Sequence, residues 1–179
     1  MSKKLTFKKI LTVVLFPLIL CTQYVNGQNM ETSLKKVLKE YSSRKTEFDA
    51  RLKPINLGRA TVLVPSHFSN KRTGTIDSDR GELSTTNFTV FYDIGRMAGA
   101  HITDQNTRNS SYFKVETYNG YKTYIGLRKE GDNDQLVITI WDPNERISMP
   151  ANFWAYVKSK KDIKDMITIV INFQPNKKV

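Results

Sequence analysis

Between Asn87 and Asp93 the side chains alternate, with Phe88, Val90 and Tyr92 on one side of an extended chain and Thr89, Phe91 and Asp93 on the other. A helix would scatter these residues around its surface, whereas the period-two repeat of a strand sorts them into two faces. Both faces carry an aromatic, so a central strand is expected here. The polar run before it reads as a partner strand across a turn, and the stretch Thr73–Gly95 is the centre around which the chain is expected to assemble.

Carried backwards, the alternation sets Asp77 and Asp79 on one face, opposite Ile76 and Ser78, with Arg80 as a nearby counter-ion. Two carboxylates on one face are the first place to look for acid and base chemistry; a solvated strand rim is the bland alternative. A hydrolase would use Asp77 or Asp79 with Glu82 or Asp93, assisted by His67, provided their environments drive the carboxyl pKa values apart.

The chain of 179 residues suffices for one domain and a short extension. Lys3, Lys4, Lys8 and Lys9 precede the apolar run Ile10–Leu20, and Val25-Asn26-Gly27 follows. This is the layout of a signal peptide over residues 1–27, with cleavage after Gly27 and export to the periplasm or beyond. The run is shorter than the roughly 20 residues that span a bilayer, so no stable membrane anchor is expected. Lipidation at Cys21 is the alternative processing. Cys21 is the single cysteine, which leaves the exported form without disulfides, thiol nucleophiles or cysteine metal ligands. The net charge of +11 includes the four leader lysines. The remaining excess is assigned to solvated basic faces and not to nucleic acid, because the aromatics fall at strand spacing.

Leu34, Val37, Leu38 and Tyr41 recur at i, i+3, i+4 and i+7, which argues for a helix in a segment over residues 28–56, ended by Pro54. The domain proper is expected over residues 57–179. Ala60–Val64 reads as a strand and Ser66–Asn70 as a loop. The glycines around Arg96–Ala100 match no phosphate-binding pattern. His67 and His101, each without a second ligand nearby in sequence, read as ordinary loop residues. Tyr118-Asn119-Gly120-Tyr121 is the strongest short-range signal, because Asn-Gly supplies the positive φ angles of a tight hairpin. Gly131–Asp134 reads as a turn and not a calcium loop, since a strand begins at once. Neither cofactor nor metal is expected. Ser159 and Asp162 resemble a capping box before the stripe Ile163, Met166, Ile167, Val170 and Ile171, although Thr168–Ile171 also fits a strand.

Asp77-Ser78 with Gly81, Tyr92-Asp93-Ile94-Gly95, Tyr118-Asn119-Gly120-Tyr121 and the closing Val170-Ile171-Asn172-Phe173 together resemble the PsbP-like class of small exported proteins, in particular its secreted bacterial members. The likeness covers about Leu57 to Gln174. It implies an α+β fold, a single antiparallel β-sheet packed against N- and C-terminal helices in a PsbP-like sandwich, and a binding or accessory role instead of catalysis. The expected partner is another extracytoplasmic protein, with an inhibitor or immunity role as one version. The expected contact residues are Asp77, Asp79, Arg80, Glu82, Tyr92 and Asp93. A small-ligand carrier lined by Phe88, Tyr92, Tyr121, Trp141 and Trp154 is the alternative.

Overall fold

The computed structural model describes residues 30–42, 51–74, 77–142 and 147–176. The leader with Cys21, Arg44 and Lys45, Ile76, and Pro143-Asn144 lie outside them. Ten strands run in chain order as β1 (Leu52–Asn56), β2 (Ala60–Pro65), β3 (Ser69–Gly74), β4 (Ser78–Ser84), β5 (Thr89–Gly95), β6 (Tyr112–Tyr118), β7 (Tyr121–Glu130), β8 (Asn133–Asp142), β9 (Ile147–Val157) and β10 (Gln174–Pro175). Helix α1 covers residues 30–42, and α2 covers Lys160–Ile171.

The strands form two sheets. Seven make a large sheet in the order β3-β4-β5-β9-β8-β7-β6, and three make a small one, β1-β2-β10. Every pairing is antiparallel. The expectation of an α+β fold with a single sheet against helices is therefore wrong, since the described residues are mostly β, with ten strands in two sheets and two helices among them. Three strands escaped the sequence reading for separate reasons. β1 contains Pro54, which read as a helix stop but is tolerated at the edge of the small sheet, where no neighbour needs its N–H. β10 has two residues, too few to show a period. β3 is polar along its length because it is an exposed edge, so Ser69-Asn70 looked like loop.

One core joins all the layers. Val90, Tyr92 and Ile94 of β5, Ile138 and Ile140 of β8, and Phe153 of β9 point from the large sheet into a cluster with Val62 and Val64 of β2, Leu34, Val37 and Leu38 of α1, and Ile163, Met166, Ile167 and Val170 of α2. Each such side chain contributes about 1.5–3 kcal/mol by leaving water. Both helices thus share one face of the large sheet with the small sheet. The Tyr41 hydroxyl lies 2.6 Å from Thr168 Oγ1, and Glu40 takes Lys160 at 2.8 Å and Lys164 at 3.2 Å, which clasps α1 to α2. Those two lysines hold the Glu40 carboxyl down at about 2.

Local signals place the rest. Asn119 and Gly120 take φ angles of 51° and 83° between the paired Tyr118 and Tyr121, as the Asn-Gly turn requires. Asn119 Nδ2 also donates to the carbonyl of Ile171 at 2.7 Å, tying the hairpin to the end of α2. Ser159 Oγ accepts from the Asp162 amide at 3.2 Å, while Asp162 Oδ2 accepts from the amide of Lys158. This is a capping box whose return bond goes to the residue before the cap, Lys158, instead of to Ser159. The helix that it starts runs through Ile171, so Thr168–Ile171 is helical.

Candidate functional site

The face of the large sheet away from the core is built by the register. Glu82, Phe91, Trp154, Val137, Gly126 and Phe113 stand side by side on β4, β5, β9, β8, β7 and β6. The next row is Arg80, Asp93, Asn152, Thr139, Tyr124 and Val115. After β5 a 3-10 turn (Arg96–Ala98) leads into a segment that crosses this second row.

Asn152 fastens the segment. Its Oδ1 accepts from the His101 amide at 2.9 Å and from Thr139 Oγ1 at 2.7 Å, and its Nδ2 donates to the Gly99 carbonyl at 2.7 Å. The Ile102 amide donates to Thr139 Oγ1 at 3.2 Å. Ile102 then packs with Tyr124 and Val137 over Gly126, where a Cβ would lie 2.1 Å from the Ile102 side chain. The glycine is what lets the segment come so close. The His101 ring rests against Trp154, centroids 5.0 Å apart, and on its other strand neighbour Trp154 stacks with Phe91 at 5.7 Å and 19°.

The segment leaves part of the face open. Phe91 and Trp154 are half-buried, Tyr156 is 39% exposed, and Met97 on the 3-10 turn is 71% exposed. Tyr156 donates to Glu130 Oε2 at 3.0 Å, and Arg128 donates to Gln135 Oε1, so charged and amide groups rim the aromatics.

The expected contact residues divide between the two faces. Asp79 points to the core side and bridges the sheets: it accepts from the Arg59 amide at 2.9 Å, from Arg59 Nη1 at 3.3 Å and from Arg72 Nη2 at 2.6 Å. Tyr92 is on the same side, buried, and donates to Asn70 Oδ1 at 3.0 Å; burial pushes its phenol pKa up. Asp77 is exposed and precedes β4. Arg80, Glu82 and Asp93 lie on the open face. Arg80 Nε donates to Asp93 Oδ2 at 2.9 Å, and Asp93 Oδ1 is buried without a hydrogen-bond partner among the described residues. Asp79 and Asp93 therefore lie on opposite faces of the sheet, and Asp79 is buried while Asp77 is exposed, so Asp79 does not belong to a solvated rim. Glu82 and Asp93 do share a face, diagonally across β4 and β5. His67 sits in the turn after β2, its ring against Phe68.

The sequence reading missed Trp154, His101 and Asn152 as one arrangement. His101 and Asn152 are 51 residues apart and only pairing brings them together; a buried Asn in the middle of an otherwise apolar strand is the one signal that pointed there. Among the described residues no three His, Cys, Asp or Glu side chains group as a metal site, and no helix is long and apolar enough to cross a membrane.

Burial lowers the His101 pKa from its ordinary value of 6.5, reinforced by Arg108 and opposed by Asp93, with Arg128 and Arg80 adding to the fall. A base whose pKa is lower folded than unfolded binds fewer protons when folded, so stability is full above 6.5 and declines as pH falls from there through the folded value. The expected result is an unfolding free energy that drops in this window in the wild type and drops less in His101→Gln. Equal pH slopes for the two proteins in urea titrations contradict this burial of the ring.

Comparison with protein-family models and with curated proteins finds no match for the chain.

Proposed function

We propose that the protein is an exported, non-enzymatic binding or accessory protein that contacts another extracytoplasmic protein through the open face of its large sheet. The observation that carries this reading is the aromatic group Phe91, Trp154 and Tyr156, adjacent on β5 and β9 and rimmed by Arg80, Glu82 and Arg128. Aromatic and arginine side chains are the residues enriched where proteins bind one another, and they dominate the energy of such contacts. The rigid sheet beneath holds these groups in place before binding, which spares the entropy of ordering them. Of the residues singled out from the sequence, Arg80 and Glu82 belong to this surface, while Asp79 and Tyr92 support it from the core side.

The test is capture by the full chain from native extracytoplasmic extract, against a control of equal basic charge, followed by titration of the enriched protein. Tyr156→Ala and Phe91→Ala each weaken that binding by tenfold or more, roughly the loss of a central aromatic contact. Lys39→Ala, on α1 at the other side of the molecule, leaves it unchanged. Prey shared with the control, or a partner indifferent to both aromatic variants, overturns the reading.

A further inference from the structure

The two edges of the large sheet differ. β3 is polar, carries Lys71 and Arg72, and has a register break between Arg72 and Gly74, all of which discourage another strand from pairing with it. β6 carries one lysine, Lys114, which is offset by Glu116 on the same strand, and it lacks the register break. Its seven residues pair with β7 without a break, it contains neither Gly nor Pro, and among the described residues no strand pairs with its outer edge. The two-residue turn makes Tyr118 and Tyr121 a hydrogen-bonded pair, so by alternation Glu116, Lys114 and Tyr112 direct their backbone groups to β7. Phe113, Val115 and Thr117 direct theirs outward. Val115 sits at the middle of this free edge and is 38% exposed, one of few large apolar side chains in that state.

We infer that β6 is a self-association edge and that its partner is β6 of a second copy of this chain, paired antiparallel about Val115. The sequence Tyr-Phe-Lys-Val-Glu-Thr-Tyr is complementary to itself in this register. Val115 meets Val115 once, on the two-fold axis, while Lys114 meets Glu116 and Tyr112 meets Tyr118 twice each about it. The outward backbone groups of Val115 form the central hydrogen-bonded pair. Moving the centre by one residue either way sets Lys114 against Lys114 or Glu116 against Glu116, and these like-charge pairs fix the register. Lys114 and Glu116 are already an ion pair within one chain, so the dimer gathers two such pairs into a group of alternating charge. The axis is perpendicular to the sheet, and the open aromatic faces of the two copies therefore look the same way. A ligand with two matching epitopes would engage both copies and gain from the second contact being intramolecular.

The test uses sedimentation velocity on the full chain across a concentration series. The wild type is expected to form a weak dimer, and Lys114→Glu or Glu116→Lys alone to raise its dissociation constant at least about tenfold by setting like charges opposite each other. An equimolar mixture of the two variants pairs Glu with Lys at every position and forms a heterodimer. The double exchange Lys114→Glu with Glu116→Lys restores the homodimer. Circular dichroism and thermal unfolding check that each single variant keeps the fold. A wild type that stays monomeric throughout, single variants that dimerise like the wild type, or a mixture that fails to associate overturns the inference.

Discussion

Asp79→Ala lowers the unfolding free energy by about 3 kcal/mol, measured by urea denaturation, and is among the most costly single changes in the molecule. The Asp79 side chain is 6% exposed and accepts from one backbone amide and two guanidinium groups. Hydrogen bonds to a charged group contribute roughly 1.5–3 kcal/mol each, and removing one member of a buried ion pair costs about 3–5. The lower end applies because Arg59 and Arg72 are 36% and 45% exposed and regain water when the carboxylate is gone. The Arg59 amide loses its acceptor as well. Asp79→Asn keeps an acceptor oxygen but loses the charge, and costs about half as much. Gly58→Ala attacks the same bracket from the other side: Gly58 has a φ of 102°, and a Cβ there would lie 2.4 Å from the Asp79 carboxyl carbon. A loss below about 1 kcal/mol for Asp79→Ala shows that the sheets are held by apolar packing without this bracket.

The second large effect is at Asn152. Its replacement by alanine removes an acceptor for the His101 amide and Thr139 and a donor to the Gly99 carbonyl, at a cost of about 3 kcal/mol for the three bonds. Stability is the smaller part of the expectation. The segment over the sheet loses its fastening, so the His101 and Ile102 amides exchange hydrogen at least about tenfold faster than in the wild type while the amides of β7 and β8 do not. Trp154 emission shifts to longer wavelength as the His101 ring leaves it. Because the segment borders the aromatic group of the proposed binding face, the same variant weakens partner binding. Unchanged exchange at His101 and Ile102 means that Ile102 packing over Gly126 holds the segment without Asn152.

Much of the large sheet could be read from spacing. The alternation in β5 and β8, the Asn-Gly turn between β6 and β7, and the cap and stripe of α2 are local consequences of side-chain order, and the structure has each of them. The candidate site was less legible. Parity along a strand puts Arg80 on the opposite face from Asp79, yet nearness in sequence suggested them as partners. Arg80 instead pairs with Asp93 across the strands, and the counter-ions of Asp79 come from β3 and from the residue before β2.

The sequence by itself determined the elements whose signal is carried within a few residues: period-two faces where one side of a strand is buried, positive φ where Asn-Gly turns, and a helix where Ser159 offers a cap. The tertiary structure decided everything that depends on neighbours from distant chain positions. It made Leu52–Asn56 and Gln174–Pro175 into strands because β2 offered both its edges to them. It turned Asp79 into a link between sheets because Arg59 arrived beside it, and it brought His101, Asn152 and Trp154 into one arrangement through the pairing of β5 with β9. Period and propensity describe which way a side chain points, whereas burial and pairing depend on what the rest of the chain places opposite it.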